Sequence, residues 1–136
     1  MHPLSLDNVT IASASPAEVI RIAGLLGCPM VNVRVHAGHN ALPLTADLIG
    51  SPAQRRETRN CAEDLGITIG IAESFGLVPG VRIADFDGGL ETAAAIGAKY
   101  VNAHGFDPDR KRQVESFQAF LGTYLAALVG ALWSTR

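Results

Sequence analysis

The sequence predicts an α/β domain of four successive strand–helix units, and three observations carry that reading. Three segments, AGLLGCPMVNVRVH (23–36), AEDLGITIGIAE (62–73) and AAAIGAKYVNAHG (93–105), share one cadence: a helical stretch ends on Leu or Ile, a glycine follows, and a strand begins. The glycines, Gly27, Gly66 and Gly97, stand 39 and 31 residues apart, long enough for a helical crossover between parallel strands. Two helix openings are also alike, Ser15-Pro16-Ala17-Glu18 and Ser51-Pro52-Ala53-Gln54.

The first strand is expected near Leu6–Ala12. At each helix opening the serine caps an orphan N–H and proline is preorganised for the first turn. Glu18 or Gln54 then closes a capping box. Gly27, Gly66 and Gly97 suit the residue after a helix, where the backbone turns left-handed. The runs Met30–Val35, Ile67–Ala72 and Tyr100–Ala103 are short and rich in apolar residues, as in strands buried on both faces of a parallel sheet. The third helix is placed near Asp85–Asp87, with Gly88 and Gly89 weakening its first turn. Asp107-Pro108-Asp109 opens the fourth, with Asp in the capping role. Between His36 and Gly50 the connection is longer than usual, and such loops are often functional.

Composition narrows the function. A chain of 136 residues fits one domain, with no linker or boundary visible. With 48% hydrophobic residues and a net charge of −2, it can bury a core and is not disordered. A pI near 6.0 excludes nucleic-acid binding by bulk charge. Two cysteines, Cys28 and Cys61, make no disulfide framework, so reduced thiols in a cytoplasmic protein are expected. The N-terminal MHPLSLDNVT carries no signal-peptide pattern, and no nucleotide-binding or serine-hydrolase glycine motif occurs.

The opening HPLSLDNVTI with SPAEVIRIAGLLGC, the segment SPAQRRETRNCAEDLGITIGIAESFGL and the stretch LETAAAIGAKYVNAHGFDPDR resemble the sugar phosphate isomerase/epimerase family, the xylose isomerase-like TIM barrels. The resemblance spans about residues 1–121. It implies the N-terminal half of such a barrel, (βα)4, with four parallel strands and helices on the outer side. It also implies metal-assisted proton transfer next to a carbonyl of a sugar or sugar phosphate. In the complete family a divalent metal (Mn, Mg or Zn) is held by two Glu, an Asp and a His from the last four strands. No residue here matches those positions, so no metal ligand is assigned and this chain alone is expected to bind none.

The whole of 1–136 is expected to form one truncated domain, with 122–136 an atypical apolar tail. No charge occurs from Ser116 to Trp133, yet Gln118, Gly122, Thr123 and Gly130 interrupt what a membrane helix would need. A truncated or frameshifted reading frame is the explanation that the sequence suggests. The alternative to an enzyme is a non-catalytic half-barrel remnant or a self-associating module, closed by a second copy of the chain. A small open sheet of flavodoxin type would instead place helices on both faces. Neither a nucleic acid nor a membrane is expected as a partner.

Functional groups in parallel α/β sheets gather at the C-terminal strand ends. That rule selects Thr10, then Arg34 and His36, then Glu73 and Ser74, then Asn102 and His104. Glu73 interrupts an apolar strand, so it either pairs with Arg34 or handles protons and substrate hydroxyls. Glu73 and His104 are the catalytic candidates; Arg34, His36 and Asn102 are the substrate-binding ones. His104 competes with a reading in which it only binds loop backbone, and Asn102, two residues earlier, is placed to orient it. His36 and His39 stand three apart, but a metal site needs more ligands than two, and a solvated loop pair is the plainer reading. Arg55, Arg56 and Arg59 read as a solvated helix face with Glu57 and Glu63. Arg110, Lys111 and Arg112 open the fourth helix against its macrodipole.

Overall fold

The computed structural model describes residues 4–37 and 43–134, with side chains described to residue 126. Four strands, β1 (Ser5–Asp7), β2 (Met30–Arg34), β3 (Thr68–Leu77) and β4 (Tyr100–Gly105), form one sheet in the order β1-β2-β3-β4. Every pairing is parallel. The helices are α1 (Pro16–Leu26), α2 (Pro52–Leu65), α3 (Asp87–Ala95) and α4 (Arg110–Ser134). Each helix touches the next, α1 on α2, α2 on α3 and α3 on α4, so they form one layer on one side of the sheet. A flavodoxin-type arrangement, with helices on both faces, is thereby set aside.

Local chemistry explains the helix boundaries. Ser15 accepts from the Glu18 N–H at 3.3 Å, and Glu18 accepts from the Ser15 N–H at 2.7 Å, a complete capping box. Only half of the second box forms. Ser51 accepts from the Gln54 N–H, but the Gln54 side chain accepts from the Asp47 N–H instead. Gly27, Gly66 and Gly97 have φ of 69°, 64° and 79°, the left-handed geometry expected after a helix. At the head of α4, Asp109 is the cap, accepting from the Lys111 and Arg112 N–H groups.

The core lies between sheet and helices. Val31, Val33 and Val35 point into it from β2 and its end, and Ile69, Phe75 and Leu77 from β3. They meet Val19, Ile20 and Ala23 of α1, Leu90 and Ala93 of α3, and Phe120 of α4. Leu48, in the described part of the long connection, is also buried there. Gly89 is required by close approach, since a Cβ there would stand 2.8 Å from Phe75 Cε1. Cys28 and Cys61 are free, half-buried and packed on this core.

Two strand boundaries are corrected. The first strand ends at Asp7 rather than near Ala12, because Asp7 accepts from the Val9 N–H and starts a 3-10 turn over Asn8–Ile11. Thr10 therefore lies in that turn and not at a strand end. The third strand continues past Ala72 to Leu77, with a register shift between Ala72 and Phe75; the Glu73–Ser74 peptide is cis. A 3-10 turn over Ile83–Phe86 precedes the third helix, which begins at Asp87. Residues beyond 121 continue α4 without a break to Ser134. Among the described residues, no helix is long and apolar enough to cross a membrane.

Exposed large hydrophobic side chains concentrate at the two flanks where the sheet stops. Leu4, Val9, Leu25 and Leu26 lie at the β1–α1 flank, and Tyr100, Phe106, Val114, Phe117, Leu121 and Leu125 at the β4–α4 flank.

Candidate functional site

The sheet face turned away from the helices carries a row of polar groups. Alternation along the strands explains it: with Val31 and Val33 turned to the core, Asn32 and Arg34 point the other way. Ser5 and Asp7 join the row from β1 by the same alternation about Leu6. In register, Asp7 stands opposite Asn32, and Arg34 opposite Glu73. Asn102 enters from β4.

These groups are linked by hydrogen bonds. The Ser5 hydroxyl donates to Asn32 Oδ1 at 3.2 Å, and Asn32 Nδ2 donates to Asp7 Oδ2 at 3.4 Å. Asn102 Nδ2 donates to Glu73 Oε2 at 3.3 Å. Glu73 is 8% exposed, and its Oε1 has no hydrogen-bond donor; Asn102 Oδ1 is likewise buried without one. Two acceptors aimed at the same face without donors suit a ligand that brings O–H or N–H groups.

Glu73 is the chemically unusual member. Burial pushes its carboxyl up to about 7, and the negative Asp7 beside it, within hydrogen-bonding reach, pushes the same way. The Asn102 hydrogen bond and the more weakly acting Arg34 charge oppose them. Near neutral pH the group is thus divided between acid and base forms, the condition that suits a proton-transfer residue. Arg34 sends its guanidinium N–H groups to the carbonyls of Ala37 and Pro43, at 3.2 and 3.3 Å. It acts on Glu73 as a neighbouring charge, closest to the structural alternative raised from sequence.

The other selected residues make different contacts. His36 packs on Phe75 (centroids 5.9 Å) and edge-on to Phe86 (5.1 Å), in the aromatic cluster where α3 and α4 meet the sheet. Burial holds its imidazole below the usual 6.5, against the opposing Asp85 charge and a backbone hydrogen bond at Ser74. His104 is exposed at the end of β4, its ring stacked 6.1 Å from Phe106. Thr10 is exposed in the first 3-10 turn, and His39 lies outside the described residues. At the α4 head Arg112 is held bidentately by the buried Asp107, with both contacts at 2.9 Å. Its basic charge is thereby matched, and the Asp107 carboxyl is held below its ordinary range.

Asp7 is the member of this polar row that the sequence did not single out. The signal was present: Asp7-Asn8 after an apolar start is a capping pair that ends a strand, which puts a carboxylate at the strand's last position. The metal implied by the resemblance can be tested against the side chains. Among the described residues, no three His, Cys, Asp or Glu side chains converge as a metal site would require, so these residues do not supply its ligand set.

Comparison with known proteins bears on the fold. No family model matches the sequence, and no curated protein matches it. Among solved structures, a xylose isomerase domain-containing protein from Salmonella typhimurium LT2 superposes with a TM-score of 0.71 at 16% identity, over 93% of this chain and 48% of its own. Protein SMc04130 from Sinorhizobium meliloti 1021 superposes with a TM-score of 0.65 at 20% identity, with the same two coverages. The chain spans about half the length of these structures. Its fold is half of a xylose isomerase-like TIM barrel, four parallel strand–helix units with the helices outside.

Proposed function

We infer that this half-barrel supplies a substrate-side wall of a sugar or sugar phosphate isomerase or epimerase, with Glu73 as its proton-transfer residue. The observation that carries this reading is Glu73 itself: a buried carboxyl on the open face, one oxygen without a donor, balanced between its two protonation states near neutral pH. As carboxylate, Glu73 takes a proton from the carbon beside a carbonyl. The C–H electron pair becomes a C=C bond and the carbonyl oxygen takes the negative charge, giving an enediolate. As carboxylic acid, Glu73 then returns the proton to the former carbonyl carbon, while the hydroxyl on the first carbon gives its proton to the enediolate oxygen and becomes the new carbonyl, which completes an isomerisation. Epimerisation would need a second acid on the opposite face of the substrate.

Asn102 orients Glu73 and presents Oδ1 to a substrate hydroxyl, while Arg34 places positive charge near the developing enediolate. His104 stands at the rim as an auxiliary substrate contact. His36 supports the site through its aromatic cluster with Phe75 and Phe86. No step is routed through a metal, because the described residues offer no ligand set for one.

The test is hydrogen exchange in D2O with a panel of ketoses and ketose phosphates. Deuterium should enter at the carbon beside the carbonyl, and Glu73→Gln should slow that entry by about 10²–10⁴-fold. Absence of exchange, or exchange untouched by the substitution, favours the second reading, a non-catalytic self-associating module. The exposed apolar flanks are the observation behind that alternative.

A further inference from the structure

We propose that two copies of this chain close around each other into one eight-stranded barrel, each copy's β4–α4 flank seated on the β1–α1 flank of its partner. This does not depend on the proton-transfer reading of Glu73.

Strand direction selects the arrangement. All four strands run parallel, with β1 and β4 as the two edges. A twofold axis along the strands keeps both copies pointing the same way. It sets β4 beside the partner's β1 in the parallel sense used throughout this sheet, and does so twice. A twofold axis across the strands, passing through both seams, would instead pair β4 with β4 and β1 with β1, each antiparallel. Only the first arrangement keeps the parallel pairing found at every seam of this sheet, and it yields the eight parallel strands on which this type of barrel closes.

The side chains at the flanks fit that partner. On α1, Ala17, Arg21 and Gly24 face α2, through Cys61, Glu57 and Leu65 respectively. Leu26, on the side of α1 away from α2, is 65% exposed. On α4, Val114, Phe117, Leu121 and Leu125 recur at helical spacing and are exposed beside the buried Phe120. In a closed ring of helices α4 of one copy is the neighbour of the partner's α1, so this stripe meets Leu26. The chain covers 48% of each matched structure, and two copies of its four strand–helix units would supply eight. The occupant is therefore a second copy rather than an unrelated apolar peptide, which would cover one flank and leave the other open.

The experiment is sedimentation velocity with light scattering at micromolar concentration. The expected mass is twice the chain's 14.3 kDa. Leu26→Lys and Leu121→Lys, both at exposed positions and with helicity checked by circular dichroism, should each give monomers. An equimolar mixture of the two variants should recover dimers, because a mixed pair keeps one of its two flank contacts unaltered. A monomeric wild type, species larger than two chains, dimers indifferent to both substitutions, or a mixture that stays monomeric would each overturn the proposal.

Discussion

Glu73 shows how one residue couples the site to stability. Its folded form holds a proton up to about pH 7, whereas the unfolded chain releases it near 4.5. Below pH 4.5 both states are protonated and the buried carboxyl costs nothing. As pH rises the unfolded state ionises first, so stability falls until pH passes 7, by roughly 3 kcal/mol in all. Glu73→Gln should therefore raise the melting temperature by several degrees at pH 8 and leave it almost unchanged at pH 4, as thermal unfolding at the two pH values would show. His36 works in the opposite sense. With its folded value below 6.5, it contributes stability above that pH and loses it as pH falls towards the folded value. Replacing His36 with Phe should flatten the acid side of the stability profile, measured by urea unfolding between pH 5 and 7. The sequence made Glu73 legible because a carboxylate inside ITIGIAESF has to be explained. It hid the approach of Asp7 to Glu73, which joins β1 to β3 and which local pattern cannot show.

Helices and strands differed in how openly they were written. Helix ends rest on contacts three or four residues away, so Ser15, Ser51, Gly27 and Gly66 were readable in place. Asp109→Ala should cost about 1 kcal/mol through loss of the α4 cap, seen as a lower denaturation midpoint with unchanged slope. Strand ends depend on neighbours distant in sequence. β3 runs on to Leu77 because β4 pairs with it as far as Gly105, which no window around Ala72 reveals. β1 is only three residues long, since the turn capped by Asp7 takes over. Gly89 marks another distant constraint. Gly89→Ala would drive a methyl against Phe75 and should cost about 1–3 kcal/mol in the same unfolding assay.

At the scale of the whole molecule, the repeat of glycine-ended helices and short apolar strands was enough to indicate four parallel units. The single layer of helices then separates a half-barrel from an open sheet. What the repeat could not show is how the inner face is furnished. Its polar row is assembled from β1, β2, β3 and β4 together, and each strand contributes only one or two of its members. The open face is also where the flanks leave the sheet unfinished, so closure by a second copy would remove Glu73 further from water without changing its hydrogen-bond partners. The central claim is that this face holds Glu73 balanced between its two protonation states by burial and by the neighbouring Asp7 charge, and carbon-13 NMR titration of the Glu73 carboxyl, in the wild type and in Asp7→Asn, tests it most directly. The midpoint should lie near 7 in the wild type and move down when the Asp7 charge is removed. A midpoint near 4.5, or one that Asp7→Asn leaves in place, would contradict it.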